Sequence, residues 1–102
     1  MTAKSNPEVL QSLRAELDAV DDELLLLLRD RIDCCVRIAH VKREHGVPMM
    51  QPQRIGLVQQ RAAAFATRHE LNPEFLRELY DLIIAETCRV EDLVIGAVDA
   101  ER

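Results

Sequence analysis

One stretch constrains the fold more than any other. From Pro7 to about His45 the chain has no glycine and no further proline, so it reads as a single helix. At ~1.5 Å per residue that helix would run roughly 55 Å. A compact domain of this size has a radius of gyration near ~13 Å. The helix must therefore project from its own domain or lie along another copy of itself. Leu10, Leu13, Leu17, Val20, Leu24, Leu27, Cys34, Ile38 and Val41 recur in steps of three and four, the spacing of a helix seam. One step of that register holds Arg31, and a guanidinium on a buried seam is costly unless an anion meets it.

The rest of the chain supplies two shorter helices. Met1 to Ser5 reads as a disordered tail. Asn6-Pro7-Glu8 is a start signal, with Asn as cap, Pro at the first helical position and an acid in the first turn. Gly46 is the natural terminator, and Val47 to Gln51 is a short connection. Pro52 opens a second helix, Gln53 to about Arg68, with Ile55, Val58, Ala62 and Phe65 as its apolar stripe. His69 to Leu71 form a turn. Asn72-Pro73-Glu74 repeats the start signal and opens a third helix. Leu76, Leu79, Ile83, Val90 and Val94 give its buried face, Gly96 ends it, and the tail after Val98 is polar and frayed.

There is no strand pattern of useful length. The fold class is all-α, with three helices per chain, one of them very long. Residues 1–102 form a single helical domain with an ordered core over about 7–95. Helices this unequal cannot cover the long seam within one chain. An intertwined homodimer with antiparallel long helices is the economical arrangement.

Charge bounds the function. The formal net charge is −5, which argues against a general nucleic-acid binder. A few cations can still make a local positive pocket on an acidic surface. No signal peptide is visible, and the leucine run Leu24 to Leu28 is far too short to span a membrane. The expectation is a cytoplasmic protein without membrane or nucleic-acid partners. Cys34, Cys35 and Cys88 are an odd set with two neighbours. They suggest neither a disulfide framework nor a metal site, but buried or half-buried thiols in a reducing compartment.

The charges that do not fit the surface mark a candidate site. Arg31 and Lys42 are eleven residues apart, which at ~100° per residue returns them to nearly the same side of the helix. Two such long cationic side chains can grip a small dianion between them. Arg14 is badly placed to join them on its own helix, but in an antiparallel dimer it reaches the partner's pair. Alternatively Arg14 is a surface charge paired with Asp18. Arg54 lies in the first turn of the second helix. On the third helix Ile84, Thr87 and Glu91 share a stripe beside Ile83, Val90 and Val94, so Glu91 is a carboxyl group on or near the buried face. It could also pair with an arginine at the core's edge, and Lys42 and Arg54 taken singly could be solvated. The residues alone leave two readings open: a buried polar site in a helical dimer, or a plain helical interaction module.

These residues resemble the all-helical chorismate mutases over about 7–95. The likeness rests on Leu13-Arg14, Leu17-Asp18, Val20-Asp21, the leucine run ending in Arg31, Lys42, Gly46-Val47-Pro48, Pro52 with Arg54, and Ile83-Ile84 leading to Thr87 and Glu91. The resemblance implies a homodimer with sites shared between chains and a small dianionic substrate. No cofactor or metal is implied. Arg31 and Lys42 would come from one chain and Arg14 from the other. The arginines would hold the substrate's carboxylates, with Arg54 on the carboxylate side, and Lys42 would also donate to the ether oxygen of the breaking bond. Position 91 usually carries a glutamine donating to that same oxygen. Glu91 has to carry a proton to do so.

At the positions of Gln51 and Ile55 many chorismate mutases carry acids that bind the ring hydroxyl. Both acids are absent here. Pro48-Met49-Met50-Gln51-Pro52 and Cys88-Arg89-Val90-Glu91-Asp92-Leu93-Val94 resemble a subgroup, the 4-amino-4-deoxychorismate mutases of antibiotic biosynthesis. The implied reaction is the Claisen rearrangement of 4-amino-4-deoxychorismate to 4-amino-4-deoxyprephenate, with Gln51, Ile55 and Thr87 among the substrate contacts. The alternatives are chorismate mutase itself, isochorismate pyruvate lyase, and a non-catalytic helical interaction module.

Overall fold

A computed structural model describes residues 6–48 and 51–101. The tail expected over Met1 to Ser5, and Met49 and Met50 of the connection, lie outside the described residues. Those described form three helices and no strand: α1 (Asn6–His45), α2 (Pro52–Arg68) and α3 (Pro73–Glu101). The chain divides into two compact units, one ending at Asp33 and the other beginning at Cys34.

In the first unit the seam leucines find no cover within the chain. Leu13, Leu17, Val20 and Leu24 are each more than half exposed. Arg31 is half-buried.

The second unit begins with the last three turns of α1. Here a second face lies beside the seam. Cys34, Ile38 and Val41 are exposed, while Cys35 and Ala39 on the neighbouring face are buried. The small side chains at that spacing face inward, and the bulkier face is left turned outward within the chain. Lys42, Arg43 and His45 lie in the last turn of α1, where cations suit the carboxyl end of the helix dipole. Gly46 then takes φ +66° and Val47 N–H donates to the Lys42 carbonyl at 2.8 Å. This is the glycine-ended closure expected from the sequence.

Pro52 itself is the first residue of α2, with Gln51 extended before it. The far end of α2 closes as α1 does, with Leu71 N–H donating to the Ala66 carbonyl at 2.8 Å. The left-handed residue there is Glu70, at φ +58°. At α3 the cap reading holds: Asn72 Oδ1 accepts from the backbone N–H of Glu74 at 2.9 Å and of Phe75 at 3.4 Å. Gly96 does not end α3, which continues to Glu101. A glycine stops a helix by turning left-handed, and Gly96 does not.

α2 packs on α3, burying Ala62 and Ala66 and half-burying Ile55 and Val58. Gln59 donates to Asp81 across this pair of helices at 2.6 Å. Two expected core positions are exposed: Leu79, and Phe65, whose ring lies 4.2 Å from that of His69. Among the described residues no large apolar side chain is fully buried.

Candidate active site

The chemistry gathers where the end of α1 meets α3. Lys42 Nζ donates to Glu91 Oε1 at 2.9 Å, with side chains 13% and 7% exposed. Glu91 is the one buried charged residue among those described. Burying two opposite charges is a poor way to stabilise a helix contact, because desolvation offsets most of the attraction. It does hold an ammonium and a carboxyl group in fixed places away from bulk water.

Two further contacts set the register. The Cys35 thiol donates to Thr87 Oγ1 at 3.7 Å, and Arg43 Nη1 donates to the Val94 carbonyl at 3.4 Å. The partners rise in number together, so α1 and α3 run in the same direction across this contact. On α1 the face is Cys35, Ala39 and Lys42; on α3 it is Thr87, Glu91 and Val94. Both step by four and three, as neighbours on one helical face do. No buried polar side-chain atom among the described residues lacks a hydrogen-bond partner.

Of the residues singled out from the sequence, Lys42, Glu91 and Thr87 therefore meet at one contact. Gln51 and Arg54 are exposed at the start of α2, and Ile55 follows half-buried. Arg31 and Arg14 belong to the first unit, half-buried and exposed respectively. Ala39 and Arg43 escaped the sequence reading, and Cys35 was read only as a buried or half-buried thiol, not as part of the site. The signal for Cys35 and Ala39 was the spacing of small residues one position on from the leucine seam.

Among the thiols, Cys35 is buried, Cys88 half-buried and Cys34 exposed. Cys34 thus departs from the expected burial, and Arg37 Nη2 donates to its sulfur at 3.1 Å. No group of three or more His, Cys, Asp or Glu among the described residues is placed to hold a metal ion. No helix among them is long and apolar enough to cross a membrane. On the outer side of α3, Arg89 donates to both carboxylate oxygens of Glu86, at 2.8 and 2.7 Å. Those hydrogen bonds hold the Glu86 carboxyl below its ordinary range and raise Arg89 above its own.

Comparison with known proteins places this arrangement. A 4-amino-4-deoxychorismate mutase of Streptomyces venezuelae is 62% identical over 87 residues, covering 85% of this chain and 84% of that protein. A protein of the same name from Streptomyces pristinaespiralis is 57% identical over 83 residues, and the match spans 81% of this chain but 64% of the relative. A chorismate mutase of Methanocaldococcus jannaschii is 22% identical over 76% of this chain and 78% of its own. The model of the family described as chorismate mutase type II matches residues 13–92. That span runs from just before Arg14 to just beyond Glu91, and a chain matched over it belongs to the type II chorismate mutase family.

Proposed function

We propose that this chain is an isomerase that converts 4-amino-4-deoxychorismate to 4-amino-4-deoxyprephenate, supplying precursors of the p-aminophenylalanine type. The observation that carries the substrate is the name shared by two relatives at 62% and 57% identity over more than four fifths of the chain.

The reaction is a Claisen rearrangement within one molecule: the ether C–O bond breaks as a C–C bond forms, and no second reactant enters. Two tasks fall to the protein. It holds the substrate in its compact shape, an orientation effect, and it stabilises the negative charge that grows on the ether oxygen. Preorganised donors away from water perform the second task well. Lys42 is the donor we assign to the ether oxygen, joined by Glu91 once that side chain carries a proton. Arg31, Arg54 and Arg14 of the partner subunit hold the carboxylates. Thr87 lies beside the substrate, and Gln51 with Ile55 meets the ring substituent.

The working form we propose is an intertwined homodimer in the cytoplasm, acting as one functional domain per chain. Its support is the exposed leucine face of α1 and the lack of any fully buried large apolar side chain among the described residues. A second copy laid along that face would remove it from water at about 25 cal/mol per Å².

The test is to offer the purified protein 4-amino-4-deoxychorismate, chorismate and isochorismate separately and identify products by mass. Preferred turnover of the amino compound is the expected result. Preferred turnover of chorismate would replace the substrate, and pyruvate release from isochorismate would replace the reaction.

A further inference from the structure

We propose that Arg43 is a positioning residue for this reaction: it ties the last turn of α1 to the backbone of α3 just beyond Glu91, and so steadies the place from which its neighbour Lys42 presents an ammonium group. The proposal rests on the mutase reading and deepens it.

Lys42 lies in the last turn of α1, and helix ends fray. Gly46 closes that turn on itself, with Val47 N–H on the Lys42 carbonyl at 2.8 Å, but this closure fastens it to nothing beyond α1. Arg43 does so, donating from Nη1 to the Val94 carbonyl at 3.4 Å. Val94 follows Glu91 by three residues on α3, and Glu91 bonds Lys42 at 2.9 Å. Sequence neighbours on α1 thus reach successive turns of α3. A helix end held at one point can swing about it, and a second point one turn away stops the swing. The two ties differ in kind. In the reaction Lys42 and Glu91 turn to the ether oxygen, so their mutual bond loosens as substrate binds. Arg43 bonds a backbone carbonyl, which the substrate does not contest. A carbonyl oxygen has two lone pairs, so the tie leaves the hydrogen-bond ladder of α3 intact. Its effect is on the backbone of the turn and adds to every bond that Lys42 makes itself. A turn already held in place does not have to be ordered during the reaction.

Arg43→Met keeps an unbranched stem and removes the donor. We expect it to lower kcat for 4-amino-4-deoxychorismate about two- to fivefold, the worth of one exposed hydrogen bond, with KM little changed because the carboxylate-holding arginines are untouched. The bond uses one guanidinium N–H, and an ammonium can supply one too, so Arg43→Lys should recover most of the loss. The loss should persist at about 0.5 M salt, where an exposed charge acting at a distance is screened. In a Lys42→Ala background it should vanish, because there is no ammonium left to place. A purely structural role predicts the same loss in both backgrounds. The tie is also read without activity, from hydrogen exchange of the Glu44 and His45 backbone amides. Exchange should be faster in Arg43→Met and parental in Arg43→Lys.

An active parent enzyme with unchanged kcat in Arg43→Met overturns this role and leaves the mutase reading standing. So does an equal loss with and without Lys42, a loss that salt abolishes, or a lysine variant as slow as the methionine one. Parental exchange at Glu44 and His45 in Arg43→Met overturns it whatever the kinetics. A parent that turns over none of the three substrates overturns both the reading and the role.

Discussion

Lys42 reaches from the last turn of α1 to Glu91 on α3, and the two opposite charges meet at 2.9 Å with little access to water. The pair joins catalysis and stability in one contact. Lys42→Ala should lower kcat about 10²–10³-fold, the range seen when one preorganised donor is removed. It should also destabilise the fold by about 3–5 kcal/mol, because it strands a buried carboxylate. Adding Glu91→Gln to that variant should return much of the melting temperature and none of the rate. Parental rates in Lys42→Ala, measured below its melting point, would remove Lys42 from the chemistry.

Glu91→Gln alone replaces a side chain that must gain a proton to donate with one that donates at any pH. The expected outcome is a flatter dependence of kcat on pH, with the largest relative gain on the alkaline side. An unchanged pH–rate profile would exclude protonated Glu91 as a donor.

Sites shared between chains give a mixing test. Arg14→Ala and Lys42→Ala should each be nearly inactive. Refolded together at equal amounts, they should recover up to roughly a quarter of the parental rate, since half of randomly mixed dimers carry one intact site of two. Separate preparations that never complement would confine each site to one chain.

Glu70 occupies the left-handed position that closes α2, at φ +58°. A β-carbon there is strained by about 1–2 kcal/mol, and glycine is not. Glu70→Gly should therefore stabilise by about 1 kcal/mol, raising the melting temperature by ~4–8 °C for a chain of this size. A fall in melting temperature would show that the Glu70 side chain contributes more than its backbone strain.

The Glu86–Arg89 pair on α3 makes a statement about pH. A carboxyl held below its ordinary range stabilises the fold above the unfolded group's titration, and that support is lost as pH falls through the folded value. Arg89→Gln should move the Glu86 midpoint up towards the ordinary carboxylate range, read by carbon NMR of the side-chain carboxyl. Because the pair is exposed, little change in neutral-pH melting is expected.

The parts of the fold legible in the sequence are those governed by local chemistry. Gly46 and Asn72 act through their own backbone and side chain, so their roles follow from residue type. Gly96 misled because glycine permits a stop without compelling one, and the hydrogen-bond ladder of α3 carries through it. Glu91 was correctly placed on a buried face by periodicity. Periodicity could not show its pairing with Lys42, which depends on the register of two helices joined through α2; only the resemblance brought the two residues to one atom. The seam reading followed the bulky residues and put Cys34 among them, while Cys35 was expected only to be buried or half-buried, as it is. The face that α1 turns inward is carried by small residues, Cys35 and Ala39, which a search for bulky side chains passes over.

That one-position offset gives the end of α1 two adjacent tracks with opposite substitution tolerance. Cys35 and Ala39 lie against their own chain, where an added methylene has nowhere to go. Ile38 and Val41 face outward within the chain, and their size is free to drift as long as whatever lies along them drifts too. In a library of variants the inner track would show as a narrow size filter. The outer track would show as permissiveness that compensates in pairs.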